Sequence, residues 1–107
     1  MIYNWFMADI DIRELLWDDV NEAHIWERHQ LTRELVEEAC YGDPQDIKVR
    51  DTYHDRLLVL APLQNKRLLT VILAPFSQGK YYPVSARMAS KKERNEYQEW
   101  KAGKKHE

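Results

Sequence analysis

The chain has 107 residues, 44% of them hydrophobic and 11% aromatic, which is enough for one compact core and sets the expectation of a single domain over 1–107. No run reaches the roughly 18 apolar residues that cross a bilayer, and the N-terminal "MIYNWFMADIDIREL" lacks a basic flank, so a cytoplasmic protein without membrane attachment is expected. The net charge of −2 hides an asymmetry: residues 1–54 hold 13 acidic and 5 basic groups, net −8, whereas residues 55–107 hold 5 acidic and 11 basic groups, net +6. Either the halves interleave in space and cancel, or the molecule has a basic face for polyanions and an acidic face for a basic partner.

Residues 1–8 read as an N-terminal tail, and Met7 offers an alternative start. "DIDIRELLW" is rich in Ile and Leu and is expected to form a first strand ending near Trp17, although "RELL" also suits a helix. "DDVNEAHIWERH" opens on two carboxylates and contains neither Pro nor Gly, which predicts a helix ending near Gln30. Thr32 is placed to cap a second helix, "RELVEEACY", whose Leu35, Val36, Ala39 and Cys40 share an apolar face and which Gly42 and Pro44 terminate. Cys40 is the only cysteine, so an internal disulfide and a cysteine-based zinc site are excluded, and the residue is expected to be a buried hydrophobe.

From Asp46 the period changes to that of strands. "IKVRDTY", "RLLVLAP", "KRLLTVILAP" and "KYYPVSARM" are β-prone runs separated by short polar breaks, which predicts an antiparallel meander. Pro83 calls for an edge or a bulge. The second and third of these runs are apolar at nearly every position, so both sheet faces are expected to be covered there. Ser90 and Glu93 form a Ser-x-x-Glu capping box for a last helix. On that helix Glu93, Tyr97 and Trp100 make one stripe, expected to dock on the sheet, and Lys91, Arg94, Lys101 and Lys105 make a basic stripe. Residues 103–107 read as a frayed tail.

Three scattered glycines exclude a phosphate-cradling loop. His24 and His29 lie about 140° apart on one helix, the wrong spacing for a metal pair, so no metal and no cofactor are expected. What remains suits phosphodiester chemistry. RNA cleavage by its own 2′-hydroxyl needs a base, an acid and cations that stabilise the charge growing on phosphorus. Arg87, at a strand end, presents a planar fork to phosphate. Lys91, Lys92, Arg94 and Lys101 add positive field or RNA grip, His29 titrates near neutrality, and Glu93 and Tyr97 are proton-handling or positioning candidates. Each has a structural alternative: a helix-end histidine, a capping glutamate, a docking ring, a solvated basic face.

"HIWERHQLTRELVEEACYGDP", "RLLTVILAP" and "YYPVSARMASKKERNEY" together resemble the BrnT-like toxin family, small members of the RelE/ParE superfamily of bacterial type II toxin–antitoxin systems. The resemblance runs from Trp17 to Tyr97. It implies an α+β fold in which a curved antiparallel sheet of about four to five strands carries two N-terminal helices and one C-terminal helix. It also implies a metal-independent endoribonuclease that inhibits translation, neutralised by a cognate antitoxin, often of ribbon-helix-helix type. The family's recurrent polar positions fall on His29, Arg87, Glu93, Arg94 and Tyr97. Where many members have Lys-His-Gly at the helix corner, this chain has Arg28, His29 and Gln30. A noncatalytic protein- or nucleic-acid-binding module, or a degenerate toxin remnant, is the alternative.

Overall fold

The computed structural model describes residues 10–105, with side chains as far as Gly103. The tail expected at 1–8 lies outside the described residues. In chain order the elements are β1 (Glu14–Leu15), α1 (Asp19–His29), α2 (Arg33–Cys40), β2 (Lys48–Thr52), β3 (Arg56–Pro62), β4 (Leu68–Ser77), β5 (Lys80–Met88) and α3 (Lys91–Lys105). They build a five-stranded sheet in the order β1-β5-β4-β3-β2. The α+β class and the helix and strand order follow the sequence expectation.

Two details differ from it. The first strand is only two residues long and runs parallel to β5, pairing Glu14 with Lys80 and Leu15 with Tyr81, so the sheet is mixed at this edge. It is short because Asp18 already caps α1, leaving the chain no room to extend. The last helix continues through Gly103 to Lys105, into the segment expected to fray. A single glycine costs a helix only about 1 kcal/mol, less than the backbone hydrogen bonds around it supply together.

The remaining strands, β2 to β5, form the antiparallel meander. At Pro83 the register slips: Ile72 pairs with Ser85 but Leu73 pairs with Pro83, so Val84 bulges out. Proline has no N–H to give the ladder, and a bulge lets the strand pass that point.

Alternation along β3 and β4 divides the core. Val59, Ala61, Leu69, Val71 and Leu73 face α1 and α2, meeting Ile25, Val36, Ala39 and Cys40. Leu58, Leu60, Leu68 and Ile72 face the other way, against Ala89 and Tyr97 of the α3 side. Both faces are therefore covered, as continuous apolar runs require. Cys40 is buried, and burial pushes its thiol pKa up to about 12, which leaves it an inert hydrophobe.

Candidate functional site

The β-ladder sets out a row of side chains on the α3 face: Lys48 opposite Leu60, Leu60 opposite Thr70, and Thr70 opposite Arg87. Cations occupy the two ends of this row and apolar or hydroxyl groups its middle. Helix α3 lies over it and brings Glu93 down onto Arg87. The contact is a fork on a fork, Nη1 to Oε1 at 2.7 Å and Nη2 to Oε2 at 2.8 Å. Oε1 also accepts from the Thr70 hydroxyl and the Ser90 backbone N–H, each at 2.8 Å, while the Glu93 N–H donates to Ser90 Oγ at 3.2 Å.

The capping box read from the sequence is therefore present, and its glutamate does a second job that sequence spacing did not reveal. Arg87, above all, holds the Glu93 carboxyl down at about 2, with the Ser90 N–H and the Thr70 hydroxyl adding to it against desolvation. A carboxylate so low and so fully bonded is a poor proton acceptor near neutrality. Of the two roles offered for Glu93, the geometry favours positioning: it aims a guanidinium whose side chain remains 41% exposed. Arg87 is in turn raised by the same bonds.

Helix α1 is fastened to β5 at its start. Asp18 accepts from the Asn21 N–H and the Asn21 side chain accepts from the Asp18 N–H, a reciprocal cap with both bonds at 2.9 Å. The buried Asn21 amide then donates to the carbonyls of Leu16 and Pro83, each at 3.0 Å, and Tyr82 donates its hydroxyl to the Asp18 carboxylate. Eight helical residues from Asn21 to His29 advance about 12 Å, and the four strand residues from Pro83 to Arg87 about 13 Å. The two ends thus reach a similar height along the sheet, with α1 packed on one face and Arg87 in the row on the α3 face. His29 is half-buried, and its pKa is lowered by desolvation first, then by the charges of Arg28, His24 and Arg87. Its imidazole is therefore mainly neutral at pH 7, the form that accepts a proton.

Gln30 takes the left-handed conformation, φ 59°, that glycine adopts without strain. Its amide offsets part of that by donating to the Trp26 carbonyl at 3.0 Å.

The other sequence candidates separate from this pair. Arg94 donates to the Ala89 carbonyl at 2.9 Å and lines a neighbouring cleft with Tyr97. Tyr97 donates its hydroxyl to the Asp46 carbonyl at 2.6 Å, and burial with the nearby Asp46 charge pushes its pKa up to about 12. That fits a docking ring. Lys101 does not join a free basic stripe: its ammonium pairs with Asp46 at 2.6 Å, because residue 101 lies only about 40° around the helix from Tyr97. Lys91 and Lys92 are exposed on the first turn of α3. Glu96 pairs with Lys48 at 3.1 Å and Arg50 at 2.9 Å, so part of the charge asymmetry cancels across halves.

Sequence reasoning missed Lys66 and Arg67, which stand on the turn before β4 and face Arg94 across the cleft. The "NKRLL" turn was the available signal. Among the described residues no helix is long and apolar enough to cross a membrane, and no three His, Cys, Asp or Glu side chains gather as a metal set.

No protein-family model matches the chain, and no curated protein does. Among solved structures it is similar to the 1.1 Å crystal structure of the Brucella abortus ribonuclease toxin BrnT, with a TM-score of 0.58 and 22% identity, over 73% of this chain and 97% of that one. The two share a fold. Nearly all of BrnT is matched, so the likeness takes in its whole α+β arrangement and not a single motif.

Proposed function

We propose that this chain is the toxin of a bacterial type II toxin–antitoxin pair, a metal-independent endoribonuclease that acts on RNA in the cytoplasm. The observation that supports the reading is that Arg87 keeps an exposed edge and that its charge reaches the His29 imidazole and helps to lower its pKa. The fold it shares with a protein named as a ribonuclease toxin supports it. A toxin of this kind requires a cognate antitoxin, and a ribbon-helix-helix protein is the form proposed here.

In the reaction, His29 takes the proton of a ribose 2′-hydroxyl, and the freed oxygen attacks the adjacent phosphorus. The P–O5′ bond breaks, leaving a 2′,3′-cyclic phosphate on one product, and water supplies the proton to the departing 5′-oxygen. Arg87 spends two of its five N–H groups on Glu93 and directs a third weakly at the Met88 carbonyl, 3.5 Å away. The rest remain for the non-bridging oxygens, where charge builds in the transition state. Lys91 and Lys92 supply field and grip.

The test is incubation of the purified protein with RNA in excess chelator. Cyclic-phosphate ends are expected, with a rate loss of about 10²- to 10⁴-fold in His29→Gln. Arg87→Ala is expected to relieve growth arrest on induction. Cleavage that survives both substitutions, or that never occurs at any protein concentration, overturns the assignment. The neutralisation of Arg87 by Glu93 favours a second reading, a noncatalytic module, which would bind RNA with a steep salt dependence and leave it intact.

A further inference from the structure

Beside the Arg87 end of β5 lies a cleft of about 540 Å³ between the β3–β4 turn and α3. That is the size of a small-molecule or nucleotide site. Lys66, Arg67 and Arg94 line it over a floor formed by Leu68, Met88 and the Tyr97 ring, and no carboxylate is among its described lining residues. Most other cations of the described residues that face a neighbour are neutralised: Arg87 by Glu93, Lys48 and Arg50 by Glu96, Lys101 by Asp46. These three are not. Among the described residues Arg94 holds only the Ala89 carbonyl, and no acid pairs with Lys66 or Arg67.

The turn carrying two of them is built stiffly. Leu63 N–H donates to the Arg67 carbonyl at 2.8 Å, and the Lys66 N–H to the Leu63 carbonyl at 2.9 Å. The Asn65 side chain accepts from the Arg67 N–H at 2.9 Å. Lys66 sits at φ 77°, which keeps the turn tight. Three like charges held around one hollow repel each other, and an anion placed among them relieves that repulsion. An apolar floor beneath a cationic rim matches a nucleotide, with its base on the floor and its phosphate at the rim.

Resting on the ribonuclease reading, we infer that this cleft is an accessory RNA subsite, holding a nucleotide that flanks the scissile phosphate. Continuity favours RNA over an acidic peptide: Ala89, in the cleft wall, follows Arg87 by two residues, so one strand can run from the guanidinium into the cleft. The subsite sets affinity and substrate length and takes no part in bond breaking.

The experiment measures binding of a non-cleavable 2′-O-methyl oligonucleotide to the full chain by fluorescence anisotropy across a salt series. The variant is Lys66→Asn with Arg67→Gln. Both positions are exposed, Asn tolerates the left-handed turn, and circular dichroism checks the fold. Each lost contact to single-stranded phosphate removes about 0.7 from the slope of log K against log salt, so a fall of about 1.4 is expected, with weaker binding. Cleavage of a dinucleotide, too short to reach the cleft, is expected at the wild-type rate. An unchanged slope and affinity overturns the subsite even if the protein cleaves RNA. A reduced slope in a protein that cleaves nothing upholds the subsite while the catalytic reading fails. Loss of oligoglutamate binding without loss of RNA binding overturns it in favour of an acidic protein partner.

Discussion

Replacing Glu93 with Gln keeps the side chain's shape and removes its charge. The carboxyl is depressed from 4.5 to about 2 in the folded chain, and each pKa unit is worth 1.36 kcal/mol, so ionised Glu93 contributes about 3 kcal/mol at pH 7. Because the folded value lies below the unfolded one, that contribution is present above about pH 4.5 and is lost as pH falls toward 2, so only part of it remains at pH 3. Gln still accepts from Ser90 and Thr70 with its one oxygen, so the expected loss is about 2–3 kcal/mol at neutral pH, out of a total of about 5–15. Urea titrations of wild type and Glu93→Gln at pH 7, 4 and 3 measure it, and the gap between the two should narrow as pH falls. A gap that stays constant with pH would mean that the Arg87–Glu93 pair is not the source of the stability. A variant of wild-type stability with no cleavage would instead make Glu93 the proton carrier, against the positioning role argued here.

Two further substitutions probe how the site is held. Tyr97→Phe deletes the bond to the Asp46 carbonyl and is expected to cost about 1 kcal/mol in a thermal or urea melt while leaving the cleavage pH profile unchanged. A hundredfold fall in rate at unchanged stability would place the phenol at the reacting groups. Asn21→Ala removes the buried amide that ties α1 to Leu16 and Pro83, leaving those carbonyls without it, at an expected cost of about 2–4 kcal/mol. Cleavage should drop with it, because His29 sits at the far end of the same helix; an unaffected rate would mean that the α1 anchor does not set the imidazole's place.

Much of this protein was legible from local patterns. The change from helical to strand periodicity at Asp46 marks the α+β division, Thr32 and the Ser90–Glu93 pair announce their helix starts, and Pro83 signals the bulge at Val84. These signals are short-range: a cap, a turn or a period depends on residues within a few positions of each other. The same reasoning marked Arg87 and His29 as candidates by their chemistry alone. It could not say that the charge of Arg87 reaches His29, since the two stand 58 residues apart along the chain.

Only the tertiary structure decided which charges are spent and which are free. On the sequence, Arg94, Lys101, Lys91 and Lys92 are equivalent cations of one helix, and Arg87 is set apart only by its place at a strand end. In space Arg87 is aimed by Glu93, Lys101 is tied to Asp46, and Arg94 joins Lys66 and Arg67 around a separate cleft. The physical reason is that a salt bridge needs its two groups within about 4 Å, while the partner of Lys101 is 55 residues away along the chain and reaches it only through the folding of the sheet. Periodicity determines which face of α3 a side chain occupies; what stands opposite that face is settled by packing.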